Sequence, residues 1–429
     1  MRQRMPSQGN PDGKGRRVLK MATVQQKTIA LNGDEAVALA VKQSDVDVVA
    51  AYPITPQTII VEKLSEYVAD GEVDMEFVCT ESEHSALTAC LTASATGART
   101  FTASASAGLA LMHEILYVTS GCRAPVVMAI ANRALSAPIN IHCDHSDTMS
   151  ERDCGWVQIY VENSQEAYDS IIQAFRIAEH PDLLLPVMVC LDAFFLSHTL
   201  ENVEVLPDET VRKFVRDRQI PKVMGHEGKE VPFRLDPDNP LTMGPLDLYD
   251  YYFEHKRQQE EAIERASQII KEIHDEYAKM SGREYGNGLV DAYRLEDAET
   301  AAVCVGSTAG TAKTVVDQLR AKGVKAGLLR LRTFRPLPMD DIQKALRNVK
   351  AVAVMDRSNS FGGHGGAVFH EVRHALYDVQ AHPHVIDYIY GLGGRDMPVE
   401  TIKGIYEDLQ KILETNHVES HVQFAGVRE

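Results

Sequence analysis

Three side chains in the first third of the sequence carry groups that suit catalysis or substrate binding. They are the hydroxyl of Thr55, the carboxylate of Glu83 and the guanidinium of Arg133. A planar guanidinium suits a carboxylate substrate, because its parallel N–H bonds match the two carboxylate oxygens. A carboxylate in a fixed position can transfer a proton or hold a protonated ring nitrogen. Each group also has a plain structural interpretation, which the local sequence leaves open.

Thr55 lies between two prolines in "VVAAYPITPQTII", residues 48–60. The following Pro56 pushes Thr55 into the extended region and suits the first position of a helix, so Thr55 is predicted to be an N-cap. The segment should therefore form a stiff turn between a strand and a helix. Ligands of open parallel sheets collect at the carboxyl ends of strands. A capped turn and a hydroxyl held for a ligand are both compatible with this position.

Glu83 ends the segment Thr80-Glu81-Ser82-Glu83, which matches a capping box with Glu83 as its N3 residue. That interpretation makes Glu83 a structural residue at a helix start. The functional alternative is a carboxylate near the top of a sheet that holds a protonated heterocycle. Residues 85–108 are rich in Ala, Ser, Thr and Gly, which let neighbouring elements approach closely.

Arg133 follows an apolar strand-like run and should also lie at a strand end. Several potential metal ligands come next, namely His142, Cys143, Asp144, His145 and Asp147. Their spacing lacks the regularity of zinc sites, and no paired Cys or His motif follows. The sequence therefore favours a polar loop with local hydrogen bonds, and no metal is assigned here.

Residues 28–235 alternate between short strand-like runs and helical periodicity. This alternation predicts a doubly wound α/β domain with a parallel sheet and helices on both faces. The predicted strands are Val46–Ala51, Met75–Cys79, Thr100–Thr102, Pro125–Ala131 and Pro186–Leu191. The predicted helices are Asp34–Lys42, Gln57–Val68, Glu81–Thr96, Leu109–Thr119 and Ser164–Ala178.

The rest of the chain divides into segments of different composition. Residues 1–27 are predicted to be a disordered leader, because they lack the apolar centre of a signal peptide. Residues 236–296 read as a linker and a charged helical arm, with a solvated surface helix as the plain alternative. Residues 297–415 form a second α/β unit, and 416–429 form a tail. The glycine-rich run at 361–367 in the second α/β unit is more typical of a tight turn before a helix than of an anion site.

Composition excludes several classes of function. A formal net charge of −17 argues against a nucleic-acid surface and a basic membrane-docking face. The longest apolar run, residues 183–191, is far short of a membrane span. The seven widely spaced cysteines fit free thiols in the cytoplasm, and they exclude a ferredoxin-type iron–sulfur run.

Several segments together resemble the α subunit of the pyruvate:ferredoxin oxidoreductase family. Those of the first domain are "AYPITPQT", "ESEHSA", "GLALMHE", "NRALSAPIN", "DHSD" and "RDCGW". Those of the second unit are "LRTFRPLP", "DRSNSFG" and "GLGGRD". The resemblance implies a thiamine diphosphate fold of the pyrimidine-binding type, followed by a transketolase C-terminal-like domain. One departure is Ala107 in "SASAG", where the family usually has Gln.

The resemblance also implies roles for the three side chains. Glu83 matches the glutamate that binds N1′ of the aminopyrimidine ring and takes part in acid–base chemistry there. Thr55 matches the threonine that contacts the 2-oxoacid, and Arg133 matches the arginine that holds the pyruvate carboxylate. The implied reaction converts pyruvate, coenzyme A and oxidised ferredoxin into acetyl-coenzyme A, CO₂ and reduced ferredoxin, reversibly.

This chain is expected to hold only half of the cofactor site. No Asn occurs between Asn32 and Asn132, and neither Asp-Gly pair begins the Gly-Asp-Gly pattern that binds Mg²⁺ and diphosphate. The resemblance implies a β subunit with the diphosphate, Mg²⁺ and a [4Fe–4S] cluster, and γ- and δ-type chains or domains that serve ferredoxin and coenzyme A. The alternatives are another 2-oxoacid, such as 2-oxoglutarate or a branched oxoacid, and a non-catalytic assembly subunit.

Overall fold

Alternating strands and helices build a first α/β domain. The structure is a computed structural model and describes residues 24–225, 228–380 and 382–428. Most of the predicted leader, residues 1–23, lies outside the described residues. The elements of this domain are β1 (Lys27–Leu31), α1 (Gly33–Gln43), β2 (Val48–Ala51), α2 (Thr58–Ala69), β3 (Glu76–Cys79), α3 (Glu83–Thr96), β4 (Thr100–Ser104), α4 (Ser106–Leu111), α5 (His113–Gly121), β5 (Val126–Asn132), α6 (Ser146–Ser150), β6 (Val157–Tyr160), α7 (Ser164–Ala178), β7 (Val187–Asp192), β8 (Glu201–Val205) and α8 (Asp208–Val215).

The main sheet of this domain has the strand order β14-β6-β7-β5-β4-β2-β3, in which β14 (Thr333–Arg335) comes from the second unit. Its six strands from the first domain are parallel to one another, which confirms the predicted fold class. Strands β4 to β7 are buried along their whole length, as is typical of the inner strands of a parallel sheet that is covered on both faces. Strand β6 was not predicted. A separate antiparallel pair, β1 with β8, lies outside this sheet.

The second α/β unit follows a long helix. Its elements, with those that precede it, are β9 (Lys222–Met224), β10 (Glu230–Pro232), α9 (Tyr252–Ser281), β11 (Val290–Tyr293), β12 (Thr300–Cys304), α10 (Thr308–Arg320), β13 (Ala326–Leu331), β14 (Thr333–Arg335), α11 (Met339–Leu346), β15 (Ala351–Asp356), α12 (Ala367–Leu376), β16 (His384–Tyr390), α13 (Val399–Thr415) and β17 (Val422–Ala425). Six strands form a sheet of order β11-β13-β12-β15-β16-β17. The segment predicted as a tail thus contributes the edge strand β17.

The two units are joined by more than the linker. Strand β14 leaves the second unit and pairs antiparallel with β6 of the first sheet. Beside it, Glu166 of α7 accepts hydrogen bonds from Arg330 at 2.5 and 2.7 Å and from Arg332 at 2.8 Å. All three side chains are buried. The first sheet and the second unit therefore share a strand and a buried ion cluster.

The charged helix α9 is not solvated along its whole length, which corrects the plain interpretation of the arm. Ile270, Ile273 and Tyr277 are buried in the main core. Asp169 of α7 accepts hydrogen bonds from the Tyr277 hydroxyl at 2.5 Å and from Arg283. One side of α9 therefore packs its apolar residues into the core, and its charged residues face solvent on the other side. Within the described ranges, no helix is both long and apolar enough to cross a bilayer.

Both predicted helix caps near the site were wrong. Helix α2 begins at Thr58 with Gln57 as its N-cap residue, so Thr55 lies in the preceding turn. Helix α3 has Ser82 as N-cap, whose side chain accepts from Ser85 N at 3.3 Å. Glu83 is then the first helical residue instead of the N3 residue of a capping box. Because Ser82 is extended and caps the helix itself, the Glu83 carboxylate is left available for another role.

Candidate active site

The carboxyl ends of four adjacent strands form the candidate site. The sheet order places β5, β4, β2 and β3 side by side and parallel. Arg133 directly follows β5, while Thr55 and Glu83 lie in the segments that follow β2 and β3. The topology therefore brings all three predicted side chains to one edge of the sheet, where ligands of such sheets bind.

Arg133 is buried, with 8% of its surface exposed. Its Nη1 donates to the Thr55 carbonyl oxygen at 2.9 Å, and its Nε donates to the Asn140 carbonyl oxygen at 3.1 Å. In the described part of the chain, its Nη2 donates no hydrogen bond and the guanidinium has no carboxylate partner. The structure thus joins Arg133 to Thr55 and leaves a buried cation free to bind an anion.

Thr55 itself is exposed, and its side-chain hydroxyl makes no hydrogen bond with the described residues. Its backbone carbonyl is the group that Arg133 contacts. Pro56 and Gln57 next to it are buried, so the chain on its carboxyl side is fixed in the core. The hydroxyl is therefore available to a ligand that approaches the edge of the sheet.

Glu83 is 6% exposed at the amino end of α3. Its carboxylate makes no hydrogen bond or ion pair with any residue that the structure describes. A Cβ placed on Gly108 would lie 2.5 Å from Glu83 Oε1 and 2.6 Å from Ser104 Oγ, which is itself buried without a partner. The glycine therefore leaves room beside an unpaired buried carboxylate, and such a group needs a proton or a cationic partner.

Sequence reasoning missed the polar residues that support these side chains. Gln57 Nε2 donates to the Tyr52 carbonyl at 2.9 Å and to the Ala103 carbonyl at 3.4 Å. Its Oε1 is buried and unpartnered. These two hydrogen bonds from one side-chain amide connect the turn that carries Thr55 to strand β4. The only signal in the sequence was the position of Gln57 directly after Pro56, and its burial is visible only in the structure.

Asp147 ties the loops after β4 and β5 together. Its Oδ2 accepts from the backbone N–H groups of Ser106 at 2.9 Å and Arg133 at 3.0 Å, and its Oδ1 accepts from Asn132 Nδ2 at 2.8 Å. Burial raises the pKa of Asp147 to about 6 in spite of these hydrogen bonds. Sequence reasoning placed Asp147 among loop residues with local bonds, whereas the structure makes it a support of Arg133. Ala107, the departure noted above, is exposed beside this loop.

The loop of potential metal ligands is built around an ion pair. Ligand atoms of Cys143, His145 and Asp192 lie within 4.8 Å of one another in the described chain, and all three residues are buried. Asp192 already accepts hydrogen bonds from His145 Nε2 and Arg357 Nη1, each at 2.8 Å, and from Ser307. The Arg357 guanidinium supplies the positive charge beside Asp192 that a metal ion would otherwise supply. The cluster therefore links the two units electrostatically.

Two family models match this chain, and the first of them includes the residues of the candidate site. Residues 39–275 match the family described as pyruvate flavodoxin/ferredoxin oxidoreductase, thiamine diphosphate-binding. Residues 298–402 match the pyruvate:ferredoxin oxidoreductase core domain II. The chain belongs to the pyruvate:ferredoxin oxidoreductase family. Its first domain is a thiamine-diphosphate-binding domain, as the resemblance implied.

Curated relatives agree with this family over nearly the whole chain. Pyruvate synthase subunit PorA of Methanocaldococcus jannaschii is 51% identical over 381 residues, which cover 89% of this chain and 94% of the relative. The subunit of the same name from Thermotoga maritima is 50% identical over 401 residues, covering 94% and 98%. Ketoisovalerate oxidoreductase subunit VorA of Pyrococcus abyssi is 42% identical over 394 residues, covering 92% and 96%. These relatives are named as subunits, and this chain is likewise one component of a multi-subunit oxidoreductase.

Solved structures of similar fold are more distant in sequence. A 2-oxoglutarate:ferredoxin oxidoreductase chain from Magnetococcus marinus aligns with a TM-score of 0.64 at 18% identity, over 89% of this chain and 65% of that chain. A split-gene transketolase aligns with a TM-score of 0.51 at 13% identity, over 89% and 98%. Both show the shared α/β fold.

The residues of the site fit the aminopyrimidine end of thiamine diphosphate. The Glu83 carboxylate is buried and unpaired, and Gly108 leaves space directly against it. Gln57 Oε1 and Ser104 Oγ are two further buried acceptors without partners. This donor and acceptor set suits a polar heterocycle that brings its own N–H groups.

Proposed function

We propose that this chain is the α subunit of a pyruvate synthase, which interconverts pyruvate, coenzyme A and oxidised ferredoxin with acetyl-coenzyme A, CO₂ and reduced ferredoxin. The observation that carries the proposal is that Glu83 and Arg133 are both buried at one edge of the sheet and that neither has an oppositely charged partner in the described chain. The relatives support pyruvate as substrate, because those named pyruvate synthase reach 51% and 50% identity and those named ketoisovalerate oxidoreductase reach 42% and 41%.

In this proposal the cofactor and the three side chains have separate roles. Thiamine diphosphate supplies the electron sink for cleavage of the bond between the carboxylate and the carbonyl carbon of a 2-oxoacid. Glu83 would hold the protonated ring nitrogen of the aminopyrimidine and exchange a proton with it. The free Nη2 of Arg133 binds the substrate carboxylate, and the Thr55 hydroxyl donates to the 2-oxoacid. Burial of Glu83 and Arg133 strengthens both interactions, since little water competes with them.

Partner chains complete the site in this proposal. A β subunit brings the diphosphate-binding half with Mg²⁺ and a [4Fe–4S] cluster, and γ- and δ-type subunits or domains serve ferredoxin and coenzyme A. The absence of a Gly-Asp-Gly pattern and of a ferredoxin-type cysteine run in the sequence supports this division. All seven cysteines are free thiols, which supports a reducing, cytoplasmic location.

The substrate is tested on the complex purified with its natural partners. Turnover and KM are measured with pyruvate, 2-oxoglutarate, 2-oxoisovalerate and 2-oxobutyrate at saturating coenzyme A and ferredoxin. We expect the highest kcat/KM with pyruvate. A higher value with 2-oxoglutarate or 2-oxoisovalerate would overturn the choice of substrate and leave the thiamine chemistry intact. Iron analysis of the same preparation tests the iron–sulfur partner.

A further inference from the structure

A turn of the second unit lies against the loop that carries Arg133. The turn, residues 391–394, joins β16 to the segment before α13, and the loop comprises residues 134–146. Asn140 Nδ2 donates to the Gly393 carbonyl at 3.0 Å, Gly394 N donates to the Cys143 carbonyl at 2.7 Å, and Gly393 N donates to Asp144 Oδ2 at 3.3 Å. Three hydrogen bonds therefore fix the loop to the other domain.

The close approach depends on glycines. Gly393 and Gly394 have positive φ values of 61° and 81°. A Cβ on Gly394 would lie 2.4 Å from the Cβ of His142, and one on Gly393 would lie 2.4 Å from Asn140 Nδ2. A clash with the Cβ of His142 is not relieved by rotating a side chain, so the loop itself would have to move.

The same loop residues hold Arg133 on their other side. The Asn140 carbonyl accepts from Arg133 Nε at 3.1 Å, and the His142 carbonyl accepts from Ala134 N at 3.0 Å. The Asn140 side chain also accepts from His142 N at 2.7 Å, so the two contacts are coupled. A displacement of residues 140–142 would therefore move the Arg133 guanidinium through its hydrogen bond with the Asn140 carbonyl. It would also move Ala134 through its hydrogen bond with the His142 carbonyl.

Apart from these hydrogen bonds to Arg133 and Ala134, residues 136–142 have few contacts with the described part of the first domain. Residues 136–139 are exposed, and Ile139 is 77% exposed. Asn140 and His142 are anchored by the turn of the second unit and by the contact of the His142 ring with Phe194. Without the turn, the carbonyl that orients Arg133 Nε would belong to a solvent-exposed loop.

We infer that Asn140 and the turn at residues 391–394 are positioning elements for substrate binding, and that the second unit sets the affinity for the 2-oxoacid by holding Arg133 in place. This inference rests on the proposed role of Arg133. It gives the second unit a part in substrate binding. Asn140 and Gly394 act through Arg133 and do not contact the substrate themselves.

The first experiment measures pyruvate kinetics of Asn140→Ala, Arg133→Leu and the double variant in the assembled complex. We expect Asn140→Ala to raise KM about 5- to 20-fold, with kcat within about 3-fold, because a displaced binding group costs affinity first. In the Arg133→Leu background the same change should alter KM by less than about 2-fold, since residues that act through one group are not additive.

The second experiment compares Gly394→Ala with Gly323→Ala. Gly323 has a φ of 84°, close to that of Gly394, but a Cβ there meets nothing within 4 Å. The two variants therefore place Ala at nearly the same positive φ, and only Gly394→Ala pushes the loop. We expect Gly394→Ala to raise KM for pyruvate as Asn140→Ala does and Gly323→Ala to keep the wild-type KM.

The outcomes separate this inference from the proposed function. If Arg133→Leu raises KM while Asn140→Ala and Gly394→Ala keep the wild-type value, the positioning role is wrong and the role of Arg133 stands. If Asn140→Ala weakens binding further in the Arg133→Leu background, it acts by another route and the inference is overturned. If Arg133→Leu itself leaves kcat/KM unchanged, the proposed role of Arg133 fails, and the inference fails with it.

Discussion

Two of the regions with buried charges differ in whether those charges are paired. At the contact between the domains, Glu166 is fully buried and makes ion pairs with Arg330 and Arg332. At the edge of the first sheet, Glu83 and Arg133 are also buried, but neither has an oppositely charged partner in the described chain. Burying a charge is costly unless it is paired, so the second region is held in an unfavourable state.

The pKa of Glu166 shows how complete its pairing is. Burial alone would raise this pKa, but the guanidinium of Arg330, and next to it that of Arg332, lowers it to about 2. The ion cluster of Asp192, His145 and Arg357 follows the same rule. In these two clusters, paired buried charges join the two units, whereas the unpaired Glu83 and Arg133 lie at the candidate ligand site.

The sharpest test of this contrast is Glu83→Gln. We expect turnover in the assembled complex to fall ~100- to 10,000-fold, because a neutral amide cannot take the proton-sharing role of the carboxylate. The unfolding free energy of the chain should change by less than about 1 kcal/mol, the size of a helix-terminus effect. Steady-state kinetics and chemical denaturation measure the two quantities.

Activity near the wild-type level would contradict the catalytic role of Glu83 and favour a non-catalytic assembly subunit. A large loss of stability would instead place Glu83 with the structural charges. Either result would remove the difference between the two regions.

Glu166→Gln should behave in the opposite way. It leaves Arg330 and Arg332 buried without their carboxylate, and breaking a buried pair of this kind costs about 3–5 kcal/mol of unfolding free energy. Whatever enzyme assembles should keep its KM for pyruvate. Denaturation of the isolated variant and kinetics of the complex provide the measurements.

The matched control for this variant is Glu66→Gln. Glu66 makes an exposed ion pair with Lys63, and such pairs contribute less than about 1 kcal/mol. Equal destabilisation by the two variants would show that burial of the pair is not what matters.

Arg133→Leu is expected to have the next largest effect on the reaction. Loss of a charged hydrogen-bond donor to the substrate carboxylate should lower kcat/KM for pyruvate by the equivalent of about 2–4 kcal/mol. Stability should change little, because the relieved cost of burying an unpaired cation offsets the loss of the hydrogen bonds to the Thr55 and Asn140 carbonyls. The ratio of kcat to KM and the denaturation midpoint decide the matter, and an unchanged ratio would exclude Arg133 from the substrate site.

The smallest expected effect is a pH dependence of the Glu166 cluster. The folded pKa of about 2 lies below the ordinary value of 4.5, so the ionised form stabilises the fold. This stabilisation is complete at neutral pH and is lost as the pH falls from about 4.5 towards 2. The difference in unfolding free energy between wild type and Glu166→Gln should shrink over that range. A difference that is constant between pH 7 and pH 3 would contradict the assignment.

The sequence predicted the elements well where periodicity was strong. Five of the strands of the first sheet and the placement of Arg133 at a strand end are confirmed. The cap of α3 was predicted wrongly because Thr80 and Ser82 compete for the helix start and only the folded backbone selects one, and that of α2 because the helix begins after Gln57 without any side-chain cap. The roles of Gln57 and Asp147 were missed for a related reason, since their partners lie at the ends of other strands.

By itself, the sequence determined the α/β alternation and the family through its motifs, because these depend on local periodicity and on residue types at fixed spacing. Only the tertiary structure decided which buried charges are paired and which are left for ligands. It also decided that Asn140 meets Gly393, a contact between residues 253 positions apart. Such long-range contacts follow from how two domains pack, and no local pattern in the chain encodes them.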